Sequence, residues 1–138
     1  MPAKDIYHDA VKNALQKDGW TITHDPLFLR VGGVDVSIDL GAEKLFAAEK
    51  NGERIAVEVK SFAGPSAISE FHTALGQSLN YRHALLKKEP ERVLYLAVPL
   101  EIYETFFTLQ FVREIVELYQ LKLILYDASR EVVIQWLK

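Results

Sequence analysis

Residues 55–60, with the sequence IAVEVK, constrain the fold more than any other part of the chain. They read as a β-strand whose apolar residues should be buried, yet the strand carries a carboxylate and an ammonium group two positions apart. Because side chains alternate between the two faces of a strand, Glu58 and Lys60 share one face. Such a pair can hold a divalent cation and stabilise negative charge that develops on a phosphate. The alternative is a plain surface ion pair on an edge strand, since E-x-K is a common tripeptide.

The chain around this strand predicts an α/β fold with a mixed sheet. Apolar spacing predicts helices over residues 5–18, 66–88 and 101–119. Alternating or continuous apolar runs predict strands over 20–24, 34–40, 45–50, 53–60, 93–98, 121–126 and 132–137. The strand at 93–98 follows a long helix, which is typical of a parallel crossover, and the last two strands form a C-terminal β-hairpin. We therefore predict a single domain over residues 1–138.

Composition narrows the chemistry. The chain has no cysteine, so a metal ion would be held by oxygen or imidazole ligands, which points toward Mg²⁺ or Mn²⁺. The net charge of −3 lacks the basic character of a dedicated nucleic-acid binder, so tight autonomous DNA binding is not expected. No apolar stretch has the length of a signal peptide or a membrane span, and we expect a cytoplasmic protein without membrane association.

Further candidate site residues lie on both sides of the E-x-K strand. Asp39 lies on a predicted strand upstream, and Gln77 and Tyr81 lie on the helix that follows. Because these two helical positions are four residues apart, their side chains project from one helical face. In the first helix, Asp9 could turn a further carboxylate toward the same place. Asp39, the E-x-K motif, Gln77 and Tyr81 follow one another along the chain. This combination is much rarer by chance than E-x-K alone, and it favours a functional site over a plain ion pair.

These residues resemble the motifs of the PD-(D/E)xK nuclease superfamily over residues 5–98. Asp9 matches its helical acid and Asp39 its strand acid. The E-x-K motif matches residues 58–60, and the Q-x-x-x-Y helix matches residues 77–81. With DLGAEK at 39–44 and VEVKSF at 57–62, the whole chain is similar to the cyanobacterial XisH family of fdxN-element excision controlling factors.

The resemblance implies a restriction-endonuclease-like core, with a mixed central sheet flanked by helices, and a role in controlling DNA excision. The partners it implies are DNA, a site-specific recombinase and a small companion excision factor, and a homodimer is a further expectation. In the catalytic form of the hypothesis, Asp39 and Glu58 bind Mg²⁺ or Mn²⁺ and Lys60 stabilises the transition state of DNA cleavage. Gln77 and Tyr81 position the DNA backbone or the lysine. The alternative is an inactive module with the same fold that recruits the recombinase or the small partner.

The sequence leaves the upstream metal ligand open between two acids. Asn51-Gly52 is a strong hairpin signal, and a two-residue turn there pairs residue i with residue 103 − i. Asp39 would then lie on the order of 20 Å along a straight strand from Glu58, too far to share a metal ion. Either the strand bends sharply near Gly41, which we favour, or Glu43 is the metal ligand.

The remaining polar candidates have plainer interpretations. The four histidines show no spacing of a metal-binding motif, so we expect surface or capping roles for them. Basic residues between Arg82 and Arg92 are expected on a solvated helix face, with contact to DNA phosphates as the alternative.

Overall fold

The computed structural model describes residues 4–44 and 52–138 and shows a β-sheet with helices on both faces. The helices are α1 (His8–Lys17), α2 (Ala67–Lys88), α3 (Leu100–Ile102), which continues as a π-helical turn over Tyr103–Phe107, and α4 (Gln110–Leu118). The strands are β1 (Thr21–His24), β2 (Leu27–Val31), β3 (Val34–Ile38), β4 (Leu40–Lys44), β5 (Glu53–Val59), β6 (Val93–Pro99), β7 (Leu123–Asp127) and β8 (Val132–Leu137).

The main sheet has six strands in the order β1-β4-β5-β6-β7-β8, and β2 and β3 form a separate two-stranded sheet. Strands β5, β6 and β7 run parallel to one another, whereas the other neighbours in the main sheet are antiparallel. The mixed central sheet, the flanking helices and the C-terminal hairpin of β7 and β8 are therefore confirmed. Among the described residues, no helix combines the length and the hydrophobicity needed to span a bilayer.

Strand β5 lies between two parts of the core. Its residues Ile55, Val57 and Val59 pack in one cluster with Val11 and Leu15 of α1. The opposite face of β5 belongs to α2, because Ala56 packs in a second cluster with Ala84 and Leu85. Residues of β5 with even numbers therefore face α2, and this alternation turns the Glu58 side chain toward that helix.

Helix α2 begins where its sequence predicts. The Ser66 hydroxyl oxygen accepts a hydrogen bond from the Ser69 N–H at 3.3 Å, which satisfies one of the free N–H groups of the first turn. The helix predicted over 101–119 is divided instead. Leu109 has an extended backbone with ψ 139°, so the chain turns before α4 begins.

The register of β4 against β5 differs from the predicted one. Glu43 pairs with Arg54, and Leu40 pairs with Val57. A two-residue turn at Asn51-Gly52 would instead place Glu43 opposite Lys60, so the predicted pairing is wrong. Residue 44 pairs with residue 53, whereas a two-residue turn would place it opposite residue 59, so Asn51-Gly52 is not the centre of this hairpin. The predicted turn and the strand predicted over 45–50 lie outside the described residues.

The strand predicted over 34–40 is two strands. Apolar alternation continues through the whole segment, but β3 pairs with β2 and β4 joins the main sheet. Asp39 is the residue between them. The chain therefore changes sheets at Asp39, next to the strand that carries Glu58.

Candidate functional site

A cleft of about 330 Å³ brings together five of the residues that the sequence singled out. These are Asp39, Glu58, Lys60, Gln77 and Tyr81. The cleft lies between the start of α1, the junction of β3 and β4, the end of β5 and the middle of α2. Its other lining residues are Lys4, Asp5, His8, Asp25, Pro26, Ser37 and Val59.

Asp39, at the junction of β3 and β4, lies directly beside Glu58 of β5. The Asp39 N–H donates a hydrogen bond to Glu58 Oε1 at 3.3 Å. In return, Asp39 Oδ2 accepts a hydrogen bond of 2.7 Å from the Val59 N–H. The two bonds hold the acids side by side. The register of β4 on β5 brings Asp39 to Glu58 with regular pairing at Gly41, so the sharp bend expected near Gly41 is not what joins them.

Glu43 lies outside the cleft. Its carboxylate contacts Arg54, with Oε1 3.3 Å from Nε, on the part of β4 that pairs with the beginning of β5. The alternative in which Glu43 accompanies Glu58 depended on the register of a two-residue turn. Because the actual register is shifted, Asp39 and not Glu43 is the upstream acid beside Glu58.

The Glu58 carboxyl group is in an unfavourable place for a negative charge. Only 5% of the residue is exposed. Burial raises the pKa of Glu58 to about 8, the charge of Asp39 contributes to this increase, and Lys60 opposes it from 3.7 Å. Two acids that repel one another in a buried place form a site where a bound cation relieves the repulsion.

Gln77 and Tyr81 extend from α2 into the same cleft, as the i, i+4 spacing predicts. Gln77 Oε1 is buried and has no hydrogen-bond partner among the described residues. A buried acceptor without a partner is costly, so this oxygen is available to a bound group. Burial and the charges of Glu58 and Asp39 raise the pKa of Tyr81 to about 12, so its hydroxyl keeps its proton at neutral pH and can donate.

Asp9 does not line the cleft, which corrects the expectation from the sequence. Its side chain is 77% exposed and contacts Lys4 at 3.9 Å. Successive residues of a helix point about 100° apart, so α1 turns His8 inward and Asp9 outward. Asp5 lies in the cleft instead, where its Oδ2 accepts a hydrogen bond of 2.9 Å from the Ser61 N–H.

His8 is a cleft residue that motif spacing missed, and the predicted surface or capping role is wrong for it. It is 2% exposed. A signal was present in the sequence, because His8, Val11 and Leu15 follow the i, i+3, i+7 spacing of the buried face of α1. Helical spacing therefore identifies a buried histidine where a motif search found none.

The partners of His8 come from two other segments. Nε2 lies 2.7 Å from Asp25 Oδ1, and Nδ1 lies 3.9 Å from Asp39 Oδ1. Lys12 contacts the other oxygen of Asp25, with Nζ 2.7 Å from Oδ2. Burial acts to raise the pKa of Asp25, but the hydrogen bonds from Lys12 and His8 outweigh it and lower this pKa below its usual value.

The donor set of the cleft fits a hard divalent cation. Within residues 4–44 and 52–138, no group of three or more acidic or histidine side chains is already gathered around one point. The cleft nevertheless offers two adjacent carboxylates and the unpartnered oxygen of Gln77. Mg²⁺ is usually held by one or two carboxylates and keeps several of its waters, so this set is sufficient for it.

The basic residues near the end of α2 do not form one solvated face. Arg92 is 5% exposed, and its guanidinium is bound to Glu89 and to the carbonyl of Ile55. Arg82 donates to the carbonyl of Tyr119. The expectation of a solvated surface is therefore wrong for Arg92, whereas Arg82 is half-buried and His83, Lys87 and Lys88 are exposed as expected.

Comparison with known proteins gives one family and two solved structures. A family model described as XisH protein matches residues 1–134. The crystal structure of an XisH family protein from Nostoc punctiforme PCC 73102 is 55% identical, with a TM-score of 0.89, over 97% of this chain and 100% of that chain. A fdxN element excision controlling factor protein from Anabaena variabilis is also 55% identical, with a TM-score of 0.88, over 98% and 100%. No curated protein matches significantly.

Proposed function

Because the chain belongs to the XisH family, we propose that it is a controlling factor in the excision of a DNA element and acts through a PD-(D/E)xK-type site in the cleft. The relative from Anabaena variabilis, described as a fdxN element excision controlling factor, supports the process. One observation supports the proposed metal-dependent chemistry. Asp39 and Glu58 lie side by side through two hydrogen bonds, with Lys60 3.7 Å from Glu58 in the same cleft.

The roles of the side chains follow from their positions. Asp39 and Glu58 would hold Mg²⁺ or Mn²⁺, which when bound would supply an activated water and shield phosphate charge. Lys60 is 21% exposed, so its ammonium group is accessible from the cleft and can stabilise the negative charge of a phosphodiester transition state. Gln77 and Tyr81 then position the DNA backbone through an amide and a hydroxyl group on the opposite wall.

The charge of the protein supports a dependence on partners. The net charge is −3, and the cleft itself contains several carboxylates. DNA phosphates are attracted only after these carboxylates are neutralised by a cation or by the complex that delivers the DNA. We therefore propose that the protein binds DNA weakly alone and acts together with a site-specific recombinase and a small companion excision factor.

A second candidate function is favoured by the same acidic charge. In this alternative the protein does not cleave DNA, and its nuclease-like fold recruits the recombinase or the small partner. The two candidates differ in what they require of Glu58. Cleavage requires its carboxylate, whereas recruitment predicts that excision continues after Glu58→Ala.

The test is metal binding by calorimetry, followed by a plasmid-nicking assay on the same samples. Wild type is compared with Asp39→Ala, Glu58→Ala and the matched control Glu43→Ala, and circular dichroism establishes that each variant is folded. We expect Mg²⁺ or Mn²⁺ binding and nicking to be lost in the first two variants and retained in the control. If folded wild type binds neither ion at millimolar concentration and does not nick DNA, the nuclease proposal fails and the recruitment module remains.

A further inference from the structure

His8 is the buried polar group of the cleft that the proposed reaction leaves without a role. Its ring is almost completely enclosed, at 2% exposure. Nδ1 has no hydrogen-bond partner among the described residues, although it lies in a cleft lined by several polar side chains. An unpaired buried nitrogen costs stability, so a group that binds it would recover that cost.

The distance from His8 to Asp39 is too long for a direct hydrogen bond but suits two ligands of one metal ion. Nδ1 and Asp39 Oδ1 are 3.9 Å apart, which is longer than a hydrogen bond. Two metal–ligand bonds of about 2.1 Å each span up to about 4.2 Å. The separation of these two atoms therefore lies within the span of one shared ion.

The surroundings of His8 set the direction of the free lone pair. Because Nε2 lies 2.7 Å from Asp25 Oδ1 and donates to it, Nδ1 is the ring nitrogen left to act as a ligand. Asp25 is fixed in turn by Lys12 at 2.7 Å. A carboxylate that orients a histidine from behind is the usual arrangement around histidines that bind metal ions.

We propose that His8 Nδ1 is a metal ligand in the cleft and that, together with Asp39, it selects a first-row transition-metal ion over Mg²⁺. This proposal rests on the proposed function, because it concerns the same metal ion that Asp39 and Glu58 hold. Imidazole nitrogen is a good ligand for transition-metal ions, whereas Mg²⁺ is bound almost exclusively through oxygen. His8 would thus make the site a mixed nitrogen and oxygen site, and Asp25 is its positioning residue.

Preference for a transition metal in wild type is not enough to establish this role. Affinity rises from Mn²⁺ to Co²⁺ at nearly any site, including sites made only of oxygen. The informative quantity is the ratio of Co²⁺ to Mg²⁺ affinity and its dependence on His8. A ligand role predicts that the ratio falls when the imidazole is removed, whereas a purely structural histidine predicts an unchanged ratio.

Calorimetric titration with Co²⁺ and with Mg²⁺ tests the proposal on wild type, His8→Asn, Asp25→Asn and the matched control His24→Asn. His24 is an exposed histidine of β1 that is not among the lining residues of the cleft. We expect His8→Asn to lower Co²⁺ affinity by about 100-fold and Asp25→Asn by about 10-fold. Mg²⁺ affinity should change by less than about threefold in both variants, and the control should match wild type.

The outcomes separate this proposal from the proposed function. If His8→Asn binds Co²⁺ and Mg²⁺ in the same ratio as wild type, His8 is not a ligand, although the site of Asp39 and Glu58 stands. If wild type binds neither ion, the metal site itself fails. If Co²⁺ affinity falls in His8→Asn while Mg²⁺ affinity persists, His8 is a ligand of the metal site that Asp39 and Glu58 form.

A second measurement uses the unmodified protein, because a buried histidine can be needed for folding. Nitrogen NMR of the imidazole rings, assigned through variants of the other histidines, reports the protonation of Nδ1. We expect the signal of an unprotonated Nδ1 for His8 that moves when Zn²⁺, a diamagnetic probe, is added. A protonated Nδ1 that Zn²⁺ leaves unchanged would identify His8 as an ion-pair partner of Asp39 and overturn the proposal.

Discussion

Strand β5 has a buried ion pair near each end, and the two pairs are built differently. Near the beginning of β5, Arg92 donates to Glu89 at 3.1 Å and 3.0 Å and to a carbonyl of the strand at 2.9 Å. Near the end of β5, Lys60 Nζ and Glu58 Oε2 are 3.7 Å apart. One pair is closely hydrogen-bonded, and the other is a loose contact.

The difference separates a structural ion pair from the pair at the proposed site. A buried charge is tolerated when short hydrogen bonds replace the water that it loses, as around Arg92. Glu58 lacks such compensation, and its raised pKa expresses the cost of ionising it. Loosely compensated buried charges cluster at functional sites, where a ligand completes them. Geometry, and not burial alone, therefore distinguishes the two ends of β5.

The largest effect is expected for Arg92→Met. This change removes the partner of Glu89 and the hydrogen bonds to the carbonyls of Ile55 and Ala42, so we expect the free energy of unfolding to fall by about 2–3 kcal/mol. Urea denaturation measures it. Metal affinity of the folded variant should remain that of wild type, because Arg92 is outside the cleft lining. A stability equal to that of wild type would show that this pair is not structural.

Glu58→Gln should change the pH dependence of stability. Burial raises the pKa of Glu58 from its usual value of 4.5 to about 8 in the folded protein. Between these pH values the folded chain retains a proton that the unfolded chain has released, so stability falls as pH rises. We expect a loss of about 1 kcal/mol per pH unit in wild type, and a much smaller slope in Glu58→Gln. Urea denaturation in a metal chelator, from about pH 5 to about pH 8, measures both slopes.

The control for this experiment is Glu43→Gln, which removes a carboxylate outside the cleft. It should keep the slope of wild type. If Glu58→Gln keeps that slope as well, Glu58 ionises normally, and the contrast between the two ends of β5 is lost.

Lys60→Met sharpens the comparison within the loose pair. Lys60 lowers the pKa of Glu58, so its removal should raise that pKa further and extend the loss of stability to higher pH. We expect little change near pH 6, where Glu58 is neutral in both proteins, and a loss of about 1 kcal/mol near pH 9. The double variant with Glu58→Gln should show no additional pH dependence, because the partner charge is absent.

Local pattern predicted much of the site. Period-two alternation placed Glu58 and Lys60 on one face of a strand, and helical spacing placed Gln77 and Tyr81 on one face of α2. Both inferences depend only on neighbours along the chain, and the structure brings all four residues into one cleft. Their chemical roles remain proposals.

The parts that the sequence did not predict depend on contacts between distant residues. The alternation that runs through 34–40 looks the same in one strand or two, so the change of sheet at Asp39 left no local signal. The predicted pairing of β4 with β5 was wrong because the dipeptide Asn51-Gly52 was assumed to form a two-residue turn. Arg92 was expected at the surface because the local sequence does not reveal its partner Ile55, which is 37 residues away. His8 is the exception, because its place on the buried stripe of α1 was visible.

Glu43→Ala gives the smallest expected effect and tests the register that places Asp39 in the site. Glu43 and Arg54 form a partly exposed pair, with side chains 30% and 53% exposed, so we expect a stability change below about 1 kcal/mol. A double-mutant cycle with Arg54→Ala should give a coupling energy of about 0.5 kcal/mol or less. Metal affinity should not change, because the pairing of Glu43 with Arg54 keeps it away from Glu58. A loss of metal binding as large as that of Asp39→Ala would mean that β4 pairs in the register of a two-residue turn. Glu43, and not Asp39, would then be the acid that accompanies Glu58.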